Sequence, residues 1–360
     1  MSVSEPRVDV VVAIHDPSRP LQRVVDSLLE SGLQLRTELR ITAVCHNVEV
    51  AWVSERLDRR ARAAIRFLRL EDGIHSAAGP FNLGLASASA EYISVIGSDD
   101  YLEPGALAAW LARADSGRYA AVIAPQRHAS GTTVRTPPIR PRRSRALDPV
   151  RDRLAYRTAP LGLVRRDIIA RLGLQFTPAL STGEDQMFSV RLWFSGERIA
   201  YGVGDPRYVV GDDAARRVTG VARPLADEMN AIRGLISSAW YVRESIVTRR
   251  VIATKIVRVH VFAAAASRSP SSWAPGERDA MSHFLAQLED AAPGYAHPLS
   301  IADRRLLDAL VDPTTPSSTI GALASARRRF GHPATVFTRD PRGFFAADGP
   351  LRFMVASALL

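Results

Sequence analysis

Val8–Ile14 is an almost unbroken apolar, largely β-branched run, the pattern of a strand covered on both faces. After the turn His15-Asp16-Pro17-Ser18-Arg19-Pro20, apolar residues recur at Leu21, Val24, Val25, Leu28 and Leu29. That spacing predicts a helix with one buried face, closed by Gly32. The alternation continues with a strand at Leu39–Val44, an Arg-rich helix at Val50–Ala64 and a short strand at Ile65–Leu68. A helix packed through small residues is expected at Phe81–Ala90, then a buried strand at Tyr92–Ile96. Pro104 opens a further helix with Leu107, Trp110 and Leu111 on one face, and Ala120–Ala124 reads as a strand. Alternation of this kind predicts an α/β fold with a doubly wound, mostly parallel sheet. Such sheets bind ligands at the carboxyl ends of their strands. The residues standing there are His15-Asp16, Cys45-His46-Asn47 and Gly97-Ser98-Asp99-Asp100.

The pattern breaks at Arg127–Arg157, which is rich in proline and arginine and reads as a long irregular loop, either a solvated mobile insert or an anion-binding loop. Leu161–Val164, a helix at Asp167–Leu172 and a second helix from about Glu184 return to α/β character. From Leu225 onward the chain reads as mainly helical, with Ile232, Leu235, Ile236 and Trp240 on one face and Val251–Phe262 ambiguous between strand and helix. A boundary near Ala222 is therefore expected, with a catalytic region at 1–222 and a mainly helical region at 223–360.

Composition changes this picture little. At 360 residues, 46% hydrophobic and 23% charged, the chain can bury a full core and is neither disordered nor fibrous. A single cysteine, Cys45, excludes an internal disulfide and fits a reducing compartment. No basic segment followed by an apolar run opens the chain, and no apolar stretch is long enough to span a bilayer, so a cytoplasmic location is expected. The net charge of +10 comes almost entirely from arginine, Lys255 being the only lysine. Such a field attracts anionic partners without selecting among them. Nucleic acid is the least favoured, because the basic residues are scattered and no recognition motif accompanies them.

Two acid pairs stand out. Asp99-Asp100 follows the buried strand Tyr92–Ile96, where a hard divalent ion can join one or two carboxylates to the oxygens of a diphosphate; a cap for the helix near Pro104 is the simpler reading. Glu184-Asp185 follows Gly183 at the start of a helix, where acids are stabilised by the helix dipole or can act as a general base.

Taken in order and context, these segments resemble the family 2 glycosyltransferases of GT-A fold. The likeness runs from Val10-Val-Val-Ala-Ile-His-Asp through Asn82-Leu-Gly-Leu-Ala and Ala90-Glu-Tyr-Ile-Ser-Val-Ile-Gly-Ser-Asp-Asp-Tyr-Leu-Glu-Pro to Gly183-Glu-Asp and Arg198-Ile-Ala-Tyr, covering about residues 8 to 213. Gly73-Ile-His-Ser-Ala-Ala-Gly-Pro-Phe-Asn is similar to a subgroup that decorates cell-wall polymers such as teichoic acids. The resemblance implies an inverting, metal-dependent transfer from a nucleotide-diphosphate sugar. Asp100, with Asp99, would hold Mn²⁺ or Mg²⁺, and Asp185 would deprotonate the acceptor hydroxyl. Ala13, Ile14, His15, His46, Asn82, Ser98 and Asp99 would line the nucleotide, with a UDP-sugar the expected donor. Glu184 and Arg165 would touch a polymeric or lipid-linked glycan acceptor.

Three departures from the family pattern accompany the match: Gly97 replaces the first acid, Cys45-His46-Asn47 replaces the base-reading carboxylates, and Phe81 replaces an arginine. Near Val210 the family often has a histidine able to reach the metal, where this chain has Gly211-Asp212-Asp213. Two other classes compete: a catalytically degenerate, polymer-binding scaffold and a nucleotidyltransferase. The latter normally has a glycine-rich phosphate loop, which His15-Asp-Pro-Ser-Arg lacks. For the helical region, with Arg327-Arg328-Arg329 and the apolar end Phe353–Leu360, docking or self-association ranks ahead of peripheral contact with the inner face of the cell membrane.

Overall fold

The structure, a computed structural model, describes residues 5–212 and 223–360. The chain forms two compact units. The first comprises residues up to Arg135, Arg143–Leu147 and Thr158 onward to the undescribed stretch; the second takes Thr136–Arg142, Asp148–Arg157 and the remainder. The expected boundary near Ala222, and with it Asp213, lies outside the described residues.

The first unit is built on strands β1 (Val8–Ile14), β2 (Leu39–His46), β3 (Ile65–Leu70), β4 (Tyr92–Gly97), β6 (Ala121–Ile123), β9 (Gly162–Arg165) and β10 (Ile199–Tyr201), in the order β10-β6-β9-β4-β1-β2-β3. β4, β1, β2 and β3 run parallel, whereas β9 lies antiparallel to both β4 and β6. Every residue of β1 is buried, as its unbroken apolar run requires. A second, smaller sheet joins β5 (Tyr101–Leu102), β11 (Tyr208–Val210), β7 (Gln126–His128) and β8 (Thr133–Val134) in the order β5-β11-β7-β8.

Helix α1 (Leu21–Leu29) buries Leu21, Val24, Val25 and Leu28, the stripe its spacing predicts. The Arg-rich stretch is two helices rather than one, α2 (Val50–Ser54) and α3 (Arg59–Ala64). Asp58 is the cause of the break: its side chain accepts from the Ala61 N–H at 2.7 Å and so starts a new helix. Helix α4 (Ala78–Ser87) packs directly on β1, because a Cβ on Gly84 would lie 2.1 Å from Val11 Cγ1. Helices α5 (Ala106–Gly117), α6 (Arg166–Leu172) and α7 (Gln186–Trp193) complete the unit.

The second unit contains α8 (Leu225–Ser237), α9 (Ala239–Arg243), α10 (Ile246–Ile256), α11 (Phe262–Ala266), α12 (Glu277–Ala291), α13 (Ile301–Val311), α14 (Ser317–Ala326), α15 (Pro333–Val336), α16 (Pro341–Phe344) and α17 (Pro350–Ala358). A π-helical turn at Val257–Val261 joins α10 to α11, so the ambiguous Val251–Phe262 is helical. No helix among the described residues is long and apolar enough to cross a membrane.

Part of the Pro- and Arg-rich stretch is tied down within the second unit, while Arg142, Arg143, Arg145 and Arg151 are exposed. Asp152, fully buried, pairs with Arg140 at 2.7 Å, and Arg153 donates to the carbonyls of Pro138 at 2.6 Å and Ala347 at 2.7 Å. Arg258 donates to the Tyr156 hydroxyl at 3.1 Å, and the rings of Tyr156 and Phe353 meet edge to face at 4.9 Å. An internal acid and two carbonyls thus take up the charges of Arg140 and Arg153.

Candidate active site

The acid pair Asp99-Asp100 sits just beyond β4, at the carboxyl end of the parallel strands, with Ala13 of β1 opposite Gly97 and Ile14 opposite Cys45 of β2. Ala13, Ile14 and Ser98 are buried, so they can offer backbone rather than side chain to a ligand. A Cβ built on Gly97 would lie 2.8 Å from Asp100 Oδ2 and 3.3 Å from Asp99 Oδ1. One oxygen of each carboxylate therefore lines the small space that glycine leaves. A side chain at position 97 would close it, which gives the first departure from the family pattern a physical role.

Asp100 is fixed from the second sheet. The Tyr208 hydroxyl donates to its Oδ2, and the Gly211 N–H donates to Oδ1 at 2.9 Å. Gly211 can approach because it has no Cβ; one there would lie 2.0 Å from the Asp99 carbonyl oxygen. Burial, reinforced by the neighbouring charge of Asp99, holds the Asp100 carboxyl above the usual carboxylate range despite these donors. Burial first, then the charge of Asp100, likewise pushes the Tyr208 phenol well up. An acid that resists ionisation in this way gains most from a nearby cation.

Two arginines supply part of that charge. Arg19, in the turn after β1, pairs with Asp99 Oδ2 at 2.5 Å, and Arg23, on the first turn of α1, donates to the Asp99 carbonyl at 2.6 Å. Arg23 also lies over the Tyr101 ring, 4.8 Å from its centroid. His15 is exposed at the end of β1, 3.4 Å from Arg19 Nη2; loss of hydration and then the Arg19 charge lower its pKa, favouring a neutral ring. Among the described residues, no third His, Cys, Asp or Glu joins Asp99 and Asp100 in a metal-holding group. The pair alone suits a hard ion that takes its remaining oxygens from a bound diphosphate.

His46 does not stand open at the end of β2. It is buried, and its Nε2 lies 2.7 Å from Asp72 Oδ1, just beyond β3. The hydrogen bond from His46 and that from the Ile74 N–H hold the Asp72 carboxyl below its ordinary range. Asn47 accepts from the N–H groups of Asp72 and Gly73 at 3.2 and 3.1 Å and so ties the two strand ends together. The carboxylate missing from the second strand is thus supplied by the third. Cys45 is buried beside it, its thiol pushed up to about 11 and hence unreactive.

Asn82 is bound to backbone at both ends of its amide: Nδ2 donates to the Phe176 carbonyl at 2.8 Å and Oδ1 accepts from the Phe176 N–H at 2.9 Å. Phe81 stands next to it, 5.0 Å from the Phe176 ring, which stacks on Phe188 of α7 at 4.9 Å. The Thr177 N–H donates to the Glu184 carbonyl at 2.8 Å. This chain of contacts runs from α4 to the turn before α7, where Gly183 adopts a left-handed φ of 77° and Asp185 occupies the N-cap position. Asp185 is partly exposed, with Gln186 Nε2 3.3 Å from its Oδ1; burial raises the Glu184 pKa.

Arg165 is the exception. Antiparallel pairing sets it opposite Tyr92, the first residue of β4, so it lies at the end of the strand away from Asp99-Asp100. There it pairs with Asp167 through two guanidinium hydrogen bonds. An acceptor contact from Arg165 is incompatible with this placement.

Residues 51–173 match the model of the family described as glycosyl transferase family 2. The chain is similar in fold to S. aureus TarS 1-349 in complex with UDP-GlcNAc, with a TM-score of 0.72 at 17% identity over 89% of this chain and 91% of that one. The same TarS fragment in complex with UDP gives a TM-score of 0.69 at 17% identity, over the same shares. The longer S. aureus TarS chain gives 0.67 at 16% identity, over 88% of this chain and 55% of that one. No curated protein matches the sequence. The mostly parallel sheet and helical C-terminal region agree with a GT-A-like fold. The matched stretch includes Asp99-Asp100 and ends before Gly183-Glu184-Asp185.

Sequence reasoning missed Arg19, Arg23, Asp72 and Tyr208, and it singled out the Gly211 segment for its acids rather than for the Gly211 N–H. The arginines carried a signal, since Arg19 and Arg23 are one helical turn apart just after the first strand. Tyr208 carried none, because the second sheet brings it in from more than a hundred residues away in sequence.

Proposed function

We propose that this glycosyltransferase moves a sugar from a UDP-sugar, by a single inverting displacement, to a hydroxyl of a cell-envelope polysaccharide, teichoic-acid-like polymer or lipid-linked glycan. The convergence of Asp99 Oδ1 and Asp100 Oδ2 on the space beside Gly97 carries the reading, because it is a ready seat for a cation-bound diphosphate at a strand end. The fold likeness to a TarS fragment bound to UDP-GlcNAc and to UDP supports uridine as the nucleoside. The similarity of Gly73–Asn82 to the wall-polymer subgroup supports the acceptor class.

In this reading Asp99 and Asp100 hold Mn²⁺ or Mg²⁺. When bound, the ion offsets the negative charge of the leaving diphosphate. Tyr208 and the Gly211 N–H keep Asp100 in place, and Arg19 and Arg23 fix Asp99 by its side chain and its carbonyl. Asp72, oriented by His46, offers the uracil N–H an acceptor, and the neutral His15 ring packs near the base. Asp185 takes the proton of the acceptor hydroxyl as that oxygen bonds to the anomeric carbon. The bond from that carbon to the diphosphate oxygen breaks, and its electron pair leaves with UDP. Glu184, beside Asp185, contacts the acceptor.

Release of UDP from UDP-GlcNAc, measured with Mn²⁺ and purified poly(polyol phosphate), tests the donor and acceptor together. Release that depends on both, with label appearing in the polymer, is expected. Release driven equally by any nucleotide sugar, or unaffected by the polymer, would overturn the assignment.

A further inference from the structure

The last part of the helical unit exposes large apolar side chains with arginines and no exposed acid among its final twenty residues. α17 uses one face inward: Phe353 packs on Tyr156 and lies under Arg258, 5.5 Å from its guanidinium, and Ala356 is buried. Its other side carries Leu351, Val355 and Leu359, spaced four apart and 41%, 46% and 66% exposed. α15 packs on α17, and beyond it Phe337, Phe344 and Phe345 form a ring cluster in which Phe345 is 69% exposed. Phe330, just after Arg327-Arg328-Arg329, is 79% exposed. Arg342 and Arg352 are exposed within this last stretch, and Arg328 and Arg329 are exposed just before Phe330. From 341 to 360 the one acid is Asp348, which is buried, and Asp340 just before them is partly exposed and lies 3.9 Å from His297 Nδ1.

We infer that this surface docks on an anionic lipid bilayer, with Phe345 and the Leu351–Val355–Leu359 stripe entering the headgroup boundary and the arginines meeting lipid phosphates. Charge decides between a membrane and a second copy of the chain. A two-fold contact through the same patch would set arginines against arginines, whereas an anionic surface complements all of them. Each arginine held near such a surface strengthens partitioning by about fivefold, and the gain falls with salt. Exposed apolar side chains on a short helix add an interfacial anchor that does not span the bilayer.

The test is co-sedimentation of the full chain with vesicles of equimolar phosphatidylcholine and phosphatidylglycerol, against vesicles of phosphatidylcholine alone. Light scattering of the vesicle-free protein accompanies it. Binding is expected to the anionic vesicles only, weakening as salt rises. It should fall at least about tenfold in Arg342→Glu/Arg352→Glu and in Phe345→Glu/Leu359→Glu. All four side chains are exposed, so melting curves should stay close to that of the parent chain. Failure to bind anionic vesicles overturns the inference. So does a stable oligomer in solution that Phe345→Glu/Leu359→Glu dissociates, because the patch would then be a contact between copies.

Discussion

Two regions of the molecule hold an acid among arginines, and only one of them stands at the carboxyl end of the parallel strands. At the end of β4, Asp100 lies between Tyr208 and Gly211 while Asp99 is held by Arg19 and Arg23, and the space beside Gly97 lies between the two carboxylates. In the helical unit Asp348 is buried near Arg153 and Arg258. Burial raises both carboxyls, the second to about 6. A perturbed acid therefore does not by itself mark a site. A strand end and a missing Cβ beside the acids set the first region apart from the second.

The largest expected effect lies on the base. Asp185→Asn keeps the shape of the α7 N-cap and removes basicity, so turnover should fall by about 10² or more with UDP affinity nearly unchanged. Steady-state transfer and UDP titration measure the two separately; loss of both together would make Asp185 structural. Gly97→Ala comes next. Its methyl would sit 2.8 Å from Asp100 Oδ2, and Mn²⁺-dependent UDP affinity should drop about tenfold or more while the melting temperature holds. Unchanged affinity would show that the space between the acids is not the seat.

The enclosed acid predicts an effect on stability instead of activity. The folded-state pKa of Asp348, about 6, stands above the ordinary 3.8, so its stabilising contribution is complete below about pH 4 and is lost as pH rises through about 6. Acidification from pH 7 to pH 5 should favour the parent chain over Asp348→Asn by about 1 kcal/mol in denaturant titrations. Equal pH dependence in the two proteins would show that Asp348 does not titrate in this window. The smallest effect belongs to Arg165→Ala, which should leave transfer within twofold because the side chain lies at the far end of β4. A large loss of acceptor affinity there would contradict its placement.

Much of the first unit was legible because its signals are local. The buried run of β1 and the stripe of α1 need only their own residues, and Asp99-Asp100 is placed by the strand that precedes it. What escaped depends on contacts distant in sequence. The antiparallel direction of β9, which removes Arg165 from the site, is set by pairing with β4 and β6 rather than by its own residues. The open look of His46 vanished against Asp72, and Asn82 proved to be a bracket for Phe176. Arginines of 136–157 read as a solvated charge run, yet Asp152 holds Arg140 and the Ala347 carbonyl holds Arg153 from within their own unit. One local signal was simply underweighted: Asp58 caps α3 and splits the expected long helix.

The central claim is that Asp99 and Asp100 seat the donor diphosphate through a divalent ion, and calorimetric titration of UDP into the full chain tests it most directly. With Mn²⁺ the parent chain should bind UDP, with EDTA binding should weaken by at least about tenfold, and Asp100→Asn should show the weak binding under both conditions. UDP binding of equal strength with and without Mn²⁺, or Mn²⁺-dependent binding that survives Asp100→Asn unchanged, would contradict the account.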